Sequence, residues 1–407
     1  MKSKHDVRLL TRLPGRSTCI PDAGGLSMNE PNSGHRRMLL SFRLTRLLLA
    51  CALASLVARS SADAQLRKPV PQKEIRGVWV HPSYFGTAQD SATVNIQRTL
   101  DKYRAAGINT LMLLVKTTSG RVCFKSTIAP IDSAWNWDFV GTFLTEAQKR
   151  DMVVHPWFCV FTEAAKAGII RDHPEWLIRS RTMEPIGVVN PSLREIRSYE
   201  ISIIMEFVRM YPVHWIHCDY IRYPCEPNEP FFSFDQETRD QFKLRYGEDP
   251  LSIRQNNSGN MIWNEWIEWD GEQVTKFMRE LKASLRAIER PVQISAAVFP
   301  DAGISKVLIG QDWAQWAREG LVDLFCPMLY TNDDTLFVKY LRRSLIHTKS
   351  HGQVSAGIGI FTAHNQNTAA GVLRQIQLTK REKARGFVLF SSASLKQELL
   401  DEMKDSK

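Results

Sequence analysis

The sequence has 407 residues, of which 43% are hydrophobic and 24% are charged, as in an ordinary globular protein. This composition excludes a disordered chain, a collagen-like or coiled-coil rod and a polytopic membrane protein. The net charge of +10 does not indicate a nucleic-acid partner, because residues 1–64 alone hold ten Lys or Arg and four Asp or Glu.

The N-terminal segment has the features of an export signal. Arg43 and Arg46 precede a short apolar run over 47–58, and the small residues that follow end in Ala62-Asp63-Ala64. A basic segment, a short apolar segment and an A-x-A site are typical of a cleavable secretory signal peptide. The alternatives are a lipoprotein that is anchored through Cys51 and an uncleaved N-terminal anchor.

These features predict three parts: a removed extension and signal over 1–64, a linker over 65–73 and a single domain over 74–404. We expect the mature protein to be periplasmic or secreted, without stable membrane insertion after cleavage. Five cysteines follow the predicted cleavage site, and none of them forms a C-x-x-C pair. We therefore expect neither a disulfide framework nor a thiolate zinc site, although Cys123 and Cys225 could pair between loops.

From residue 75 onward, short apolar runs alternate with longer segments of helical periodicity. The eight predicted strands are Ile75–His81, Ile108–Lys116, Met152–Phe161, Val213–Tyr220, Val292–Phe299, Val322–Tyr330, Val354–Phe361 and Gly386–Phe390. The predicted helices are Val94–Ala106, Phe139–Arg150, Leu193–Met210, Ile262–Ile288, Trp313–Arg318, Leu336–His347, Ala369–Lys383 and Leu395–Met403. This alternation predicts an α/β protein with a parallel sheet that is covered by helices, and eight strands favour a (β/α)8 TIM barrel. The alternative is an open doubly wound sheet, but the first predicted turn lacks its Gly-rich signature.

The fourth predicted strand carries the clearest candidate for a catalytic group. Side chains alternate along a strand, so Trp215, His217 and Asp219 share one face while Ile216 and Cys218 share the other. The apolar pair is expected to pack beneath the helices. The carboxylate of Asp219 is then predicted to point into the barrel mouth, where the active sites of such barrels lie.

Several short motifs in this sequence resemble one known family. They are Glu74-Ile75-Arg76-Gly77-Val78-Trp79, His173-Pro174-Glu175-Trp176-Leu177, Val189-Asn190-Pro191, Ile216-His217-Cys218-Asp219-Tyr220-Ile221-Arg222-Tyr223-Pro224, Cys326-Pro327-Met328-Leu329-Tyr330 and Arg385-Gly386-Phe387-Val388-Leu389-Phe390-Ser391. In their order and spacing they resemble the glycosyl hydrolase-like 10 family. The resemblance implies an exported (β/α)8 barrel that acts on glycans, with some relatives cleaving peptidoglycan strands that lack stem peptides. Many relatives have a second acidic residue where this chain has Tyr220.

Glycoside hydrolysis requires two carboxyl groups that flank the scissile bond. Asp219 is the first candidate, and Asp301 after the fifth predicted strand is the preferred second, with Glu163 as a further candidate. Asp333 and Asp334 are also possible, although their position before a helix is typical of N-terminal capping residues. The same alternative applies to Asp301.

Polar and aromatic residues at the predicted strand ends are candidates for binding a sugar, because sugars combine hydroxyl groups with faces that stack on aromatic rings. These candidates are Trp79, His81, Lys116, Arg121, His155, Trp157, Asn190, His217, Arg222, Tyr223, Tyr330 and Asn332. Trp135 and Trp137 are candidates for additional stacking positions.

Three functions remain open at this level. An exported glycoside hydrolase that acts on a cell-wall or other extracellular polysaccharide is the leading prediction. A non-catalytic glycan-binding barrel is the second, motivated by Tyr220 and by the unsettled second carboxylate. A metal-dependent deacetylase or hydrolase is the third, motivated by His81, His155 and His217, but the chain has no H-x-H pair on its first strand. We predict a glycan as the substrate, with no metal, no cofactor and no nucleic-acid partner, and the sequence identifies no protein partner.

Overall fold

The computed structural model describes residues 74–225, 232–253, 261–348 and 354–405. The predicted signal peptide and linker lie outside the described residues. Within the described ranges, no helix is long and apolar enough to cross a membrane.

Ten strands and eleven helices make up the described chain. The strands are β1 (Ile75–Val80), β2 (Thr110–Lys116), β3 (Val153–Cys159), β4 (Leu177–Arg179), β5 (Pro185–Val189), β6 (Trp215–Asp219), β7 (Gln293–Val298), β8 (Leu324–Pro327), β9 (Ser355–Gly359) and β10 (Gly386–Phe390). The helices are α1 (Gln89–Ala105), α2 (Phe139–Gln148), α3 (Ile169–Asp172), α4 (Arg194–Met210), α5 (Gln236–Tyr246), α6 (Met261–Arg286), α7 (Ala302–Ile309), α8 (Trp313–Arg318), α9 (Asp334–Thr348), α10 (Ala369–Arg381) and α11 (Gln397–Asp405).

Eight of the strands form one parallel sheet that curls into a barrel. Its order is β8-β7-β6-β3-β2-β1-β10-β9, and β4 pairs with β5 as a separate antiparallel hairpin. Parallel bridges from Phe325 to Val354 and from Met328 to Gly357 join the two ends of this order. The predicted (β/α)8 barrel is therefore confirmed, and each of the eight predicted apolar runs contains one barrel strand.

The core has two parts because the barrel strands are buried on both faces. A small cluster fills the barrel interior and includes Trp79, Met112, Trp157 and Trp215. A larger cluster lies between the sheet and the helices. Helix α10 shows how this second layer forms. Its buried residues fall at helical spacing, so they lie on one face of the helix, and the sheet covers that face.

Three helices and the hairpin were not predicted from the sequence. Helix α5 illustrates the reason, because only Thr238 and Phe242 of its side chains are buried, and Leu244 is exposed to solvent. Strands β4 and β5 contain only three and five residues and are partly exposed. Such elements carry too few buried residues to produce a periodic signal.

Candidate active site

A cavity opens where the barrel strands end. Its volume is about 1190 Å³, above the roughly 300–1,000 Å³ of most small-molecule sites. Its aromatic lining comes from many strands and loops. The rings are those of Trp79, His81, Trp135, Trp157, Tyr220, Phe299, Tyr330, His364 and Phe390.

Asp219 ends β6 and lines this cavity, as its place in the strand predicts. The residue is only 6% exposed, and its Oδ1 accepts a hydrogen bond of 2.6 Å from the backbone N–H of Tyr220. Burial raises the pKa of the Asp219 carboxyl to about 6, although the charge of Arg222 acts in the opposite direction. A substantial fraction of the group is therefore protonated at mildly acidic pH, so it can donate a proton.

Arg222 supplies positive charge to the same wall. Its guanidinium lies over the ring of Tyr220 at 4.6 Å and over the ring of Phe299 at 5.0 Å. Its Nε is buried without a hydrogen-bond partner, and no carboxylate in the described ranges forms an ion pair with it. The two aromatic rings thus hold the guanidinium of Arg222 in place, and its positive charge is available to a ligand.

The predicted alternation along β6 is confirmed, and it places His217 one layer below Asp219. Trp79 donates its indole N–H to His217 Nε2 at 3.0 Å, and His217 Nδ1 lies 2.9 Å from Ser295 Oγ. His155 Nδ1 lies 2.8 Å from the same Ser295 oxygen, and its ring stacks on Trp215 at 4.4 Å. Ile216 and Cys218 pack on the outer side, beneath the helices.

This network fixes the protons on both buried histidines. Trp79 can only donate, so Nε2 of His217 is an acceptor, and burial lowers the pKa of this ring to about 3. Ser295 donates its own proton to the Ile216 carbonyl at 3.0 Å, so both histidines donate from Nδ1 to its oxygen. His217 therefore has no free lone pair for a metal ion. The described residues include no group of three His, Cys, Asp or Glu side chains that could hold one.

Replacing Ser295 by Ala is expected to lower the free energy of unfolding by about 2–4 kcal/mol. The change leaves two buried imidazole N–H groups without an acceptor, at about 1–3 kcal/mol each. Denaturant unfolding at pH 7 measures the loss. Ser305→Ala is the matched control, because Ser305 is equally buried but donates only to the carbonyls of Ala302 and Gln311. A loss no larger than that of the control would contradict the network.

Lys116 and Glu163 are close together, but they lie beneath the cavity and not on its surface. The Lys116 ammonium lies 2.9 Å from Glu163 Oε1 and 3.2 Å from Glu200 Oε2, and the three side chains are 1%, 0% and 1% exposed. It also donates to the carbonyls of Cys159 and Val160 at 3.0 and 2.9 Å. Burial raises the pKa of Glu200 to about 8, and Lys116 opposes that shift. The structure thus corrects the expectation that Lys116 and Glu163 face the substrate.

Gly120 closes the loop over this charge cluster. Its φ is +83°, and a Cβ at this position would lie 1.7 Å from Glu163 Oε2. Only glycine combines this backbone conformation with so close an approach. The loop that follows β2, including the cavity-lining residues Thr117 and Thr118, is therefore seated directly on the buried carboxylate.

The structure does not bring Asp301 to the cavity. Asp301 is the N-cap of α7, where its Oδ1 accepts from the N–H groups of Gly303 and Ile304 at 3.1 Å. Its Oδ2 lies 2.5 Å from Arg343, and these bonds lower the pKa of Asp301 despite partial burial. The expected juxtaposition with Asp219 is therefore corrected in favour of the capping interpretation.

Asp333 also acts as a cap, because its Oδ1 accepts from the N–H groups of Thr335 and Leu336. Asp334 pairs with Arg374 at 3.1 Å. Neither residue lines the cavity, so both serve the start of α9, Asp333 as its cap and Asp334 as its first residue.

Besides Lys116, six predicted sugar-binding residues have other roles: His155 and His217 are buried in the network below the cavity, and four more contact other parts of the chain. Asn190 is buried and donates to Asp235 and Thr238 at 2.7 Å, which fixes the chain before α5. Arg121 donates to a loop carbonyl, that of Ile131. The other two are also outside the cavity lining: Asn332 donates to the carbonyl of Gln366, and the ring of Tyr223 is buried against Phe232.

Six of the predicted site residues line the cavity together. They are Trp79, His81, Trp157, Asp219, Arg222 and Tyr330. Trp135 also lines it, whereas Trp137 donates its N–H to the carbonyl of Thr87 instead. The sequence reasoning missed Asp132 in the loop after β2. The one feature of the sequence that could have indicated Asp132 is its position three residues before Trp135, a candidate for stacking on a sugar.

Comparison with known proteins identifies the family. Residues 74–371 match the pattern that defines the glycosyl hydrolase-like 10 family. The chain belongs to this family. The match begins at the residue before β1 and ends within α10, so it includes Asp219 and most of the cavity wall. The resemblance seen in the sequence motifs is thereby confirmed.

Two proteins with similar sequences have names that describe hydrolases. The chain is 22% identical over 355 residues to glycosyl hydrolase DigH of Escherichia coli (strain K12), an alignment that covers 72% of this chain and 75% of DigH. It is 20% identical over 297 residues to glycosyl hydrolase YngK of Bacillus subtilis (strain 168), covering 63% of this chain and 54% of YngK.

Solved structures give the same fold for this member of the glycosyl hydrolase-like 10 family. The glycoside hydrolase domain of PgaB (BpsB) from Bordetella bronchiseptica superimposes with a TM-score of 0.62 at 11% identity, covering 82% of this chain and 98% of that domain. Alpha-L-fucosidase isoenzyme 2 from Paenibacillus thiaminolyticus gives 0.58 at 14% identity, covering 82% and 49%. At these identities the likeness shows the fold alone.

Proposed function

We propose that this protein is an exported glycoside hydrolase that cleaves a cell-wall polysaccharide of the peptidoglycan type or another extracellular polysaccharide. One observation carries the proposal: a buried carboxyl group with a pKa raised to about 6, Asp219, lies in the wall of a large aromatic cavity at the strand ends. Family membership supports glycosidase-type chemistry. The basic segment, apolar run and A-x-A site before residue 65 support export.

The cavity wall supports a sugar chain as the ligand. Tyr220, Tyr330 and Phe390 are half-buried at the ends of three different barrel strands and present aromatic surface to the cavity, and such rings stack on the apolar faces of sugars. The guanidinium of Arg222, which has no ion pair among the described residues, favours a sugar that carries an acidic group. A peptidoglycan strand has this chemistry, because one of its two sugars bears a carboxylate.

Asp219 is proposed to act as the general acid. At mildly acidic pH its carboxyl carries a proton that can pass to the glycosidic oxygen as the bond from that oxygen to the anomeric carbon breaks. The backbone N–H of Tyr220 holds one carboxyl oxygen in place, and Arg222 stabilises the carboxylate that remains. His217 stays neutral beneath it and acts as a support.

Product analysis on purified glycan strands, with and without stem peptides, tests this function. We expect new reducing ends from the strands without stem peptides. Release of acetate without new reducing ends would replace the proposal with the deacetylase alternative. Tight glycan binding with no turnover on any polysaccharide tried would replace it with the glycan-binding alternative.

The protonation state of Asp219 should determine how the rate of glycan cleavage depends on pH. The pKa of this group is raised to about 6, so its protonated form is abundant below pH 6 and falls about tenfold per pH unit above it. We therefore expect kcat/KM to decline above about pH 6 in assays from pH 4.5 to 8. A rate that rises through pH 6 would contradict the role of general acid, because it would require the carboxylate form.

A further inference from the structure

The hydrolysis assigned to this cavity needs a second carboxyl group, and the structure restricts the choice. Glu163 is enclosed with Lys116 below the cavity, and Asp301 caps α7 and pairs with Arg343. Of the described residues that line the cavity, only Asp219 and Asp132 carry carboxylates.

Asp132 is held firmly in the loop that follows β2. Its N–H donates to the carbonyl of Val122 at 2.9 Å, and its carbonyl accepts from the N–H of Trp135 at 3.0 Å. Its Oδ1 accepts from the N–H of Ala134 at 3.0 Å. The two backbone bonds fix the turn and the third holds the carboxylate, so that an acid and an aromatic ring three residues apart share one segment of the cavity wall.

The electrostatic surroundings leave Asp132 available to a ligand. Asp132 forms no ion pair with any Lys, Arg or His in the described parts of the chain. Asp132 and Cys123 both line the cavity, and the charge of Asp132 adds to the effect of burial in raising the pKa of the Cys123 thiol. Asp301 and Glu163, by contrast, each have a cation within hydrogen-bonding distance.

The two acids reach the cavity from separate segments of the chain, because Asp219 ends β6 and Asp132 lies in the loop between β2 and α2. The carboxyl groups of glycosidases lie roughly 5–5.5 Å apart in retaining enzymes and roughly 6.5–9.5 Å apart in inverting ones, so the second acid must line the same cavity as Asp219, as Asp132 does.

From this placement we propose that Asp132 is the second catalytic carboxylate, an inference that rests on the glycoside hydrolase function proposed above. Asp219 gives its proton to the leaving oxygen as the glycosidic bond breaks. In the inverting case, Asp132 takes a proton from water while the water oxygen bonds to the anomeric carbon. In the retaining case, Asp132 bonds to that carbon, and water, deprotonated by Asp219, then hydrolyses the ester. Either route consumes one water molecule and leaves one hydroxyl group on the anomeric carbon and one on the leaving sugar.

Kinetics of Asp132→Asn and Asp132→Ala on the strands that the wild type cleaves test the proposal. We expect kcat to fall at least about 100-fold with little change in KM. Sodium azide or formate should restore part of the activity of Asp132→Ala, because a small anion can replace the missing carboxylate. The anomer of the product identifies which of the two routes operates.

Asp138→Asn is the matched control from the same loop. Asp138 caps α2 and accepts from the N–H of Gly141 and the hydroxyl of Tyr211, bonds that Asn can also accept, so activity should stay near the wild-type value. A raised KM with unchanged kcat in Asp132→Asn, or a wild-type rate, overturns the catalytic role. Lack of turnover by the wild type would instead count against the proposed function itself.

Discussion

Replacing Asp219 by Asn is expected to lower kcat by about 10³-fold, because removing a general acid typically costs between 10² and 10⁴. Asn still accepts the hydrogen bond from the Tyr220 N–H, so the geometry of the strand end is preserved. It cannot release a proton to a leaving oxygen. Reducing-end assays at pH 5.5 measure the effect, and binding of the glycan should persist. A rate within tenfold of the wild type would exclude Asp219 as the acid.

The same variant provides its own control for folding. Because burial raises the pKa of Asp219 above that of the unfolded chain, ionisation destabilises the folded state as the pH rises from about 4 to about 6. Asn removes this cost, so Asp219→Asn should be more stable than the wild type at pH 8, by up to about 2–3 kcal/mol, and similar to it at pH 4. A variant that loses activity while gaining stability at pH 8 has lost chemistry and not structure.

Replacing Lys116 by Met is expected to cost about 3–5 kcal/mol of unfolding free energy at pH 7. The change leaves the carboxyl groups of Glu163 and Glu200 buried without their cation. The loss should be larger at pH 8 than at pH 5, because burial already raises the pKa of Glu200 and acidic pH supplies the proton that the group then needs. Denaturant unfolding at the two pH values measures this difference.

Two further variants make the Lys116 result decisive. Lys149→Met removes an ion pair with Glu146 whose lysine is 60% exposed, and it should cost less than about 1 kcal/mol. The triple variant Lys116→Met/Glu163→Gln/Glu200→Gln removes the buried charges together and should recover much of the lost stability. If Lys116→Met costs no more than Lys149→Met, the cluster does not stabilise the base of the cavity as inferred.

The barrel and the position of Asp219 could be read from the sequence because both depend on local patterns. Strands that are buried on both faces leave short, nearly continuous apolar runs, and all seven residues of β2 are buried. Alternation along β6 placed Trp215 and Asp219 on the inner side and Ile216 on the outer. These properties repeat every two residues within one strand, so no distant part of the chain is needed to infer them.

Other site residues were misplaced because their roles depend on groups that are distant in the sequence. Lys116 is positioned like a cavity residue at its strand end, but the carboxylates that enclose it lie 47 and 84 residues away. Asp301 follows a strand too, yet the N–H groups of its own helix and Arg343, 42 residues away, account for its bonds. Whether a carboxylate binds a substrate or an internal cation is decided by such neighbours, which composition and spacing do not specify.

By itself the sequence determined the eight-stranded barrel, the location of the site at the C-terminal ends of its strands, and one inward carboxylate, Asp219. Only the tertiary structure decided which strand-end groups share the cavity, and it added Asp132 from a loop with no periodic signal. The physical reason is the range of the interactions. The burial of a strand can be inferred from the apolar residues of that strand. The burial, pairing and pKa of a charged side chain depend instead on the chain segments that fold against it.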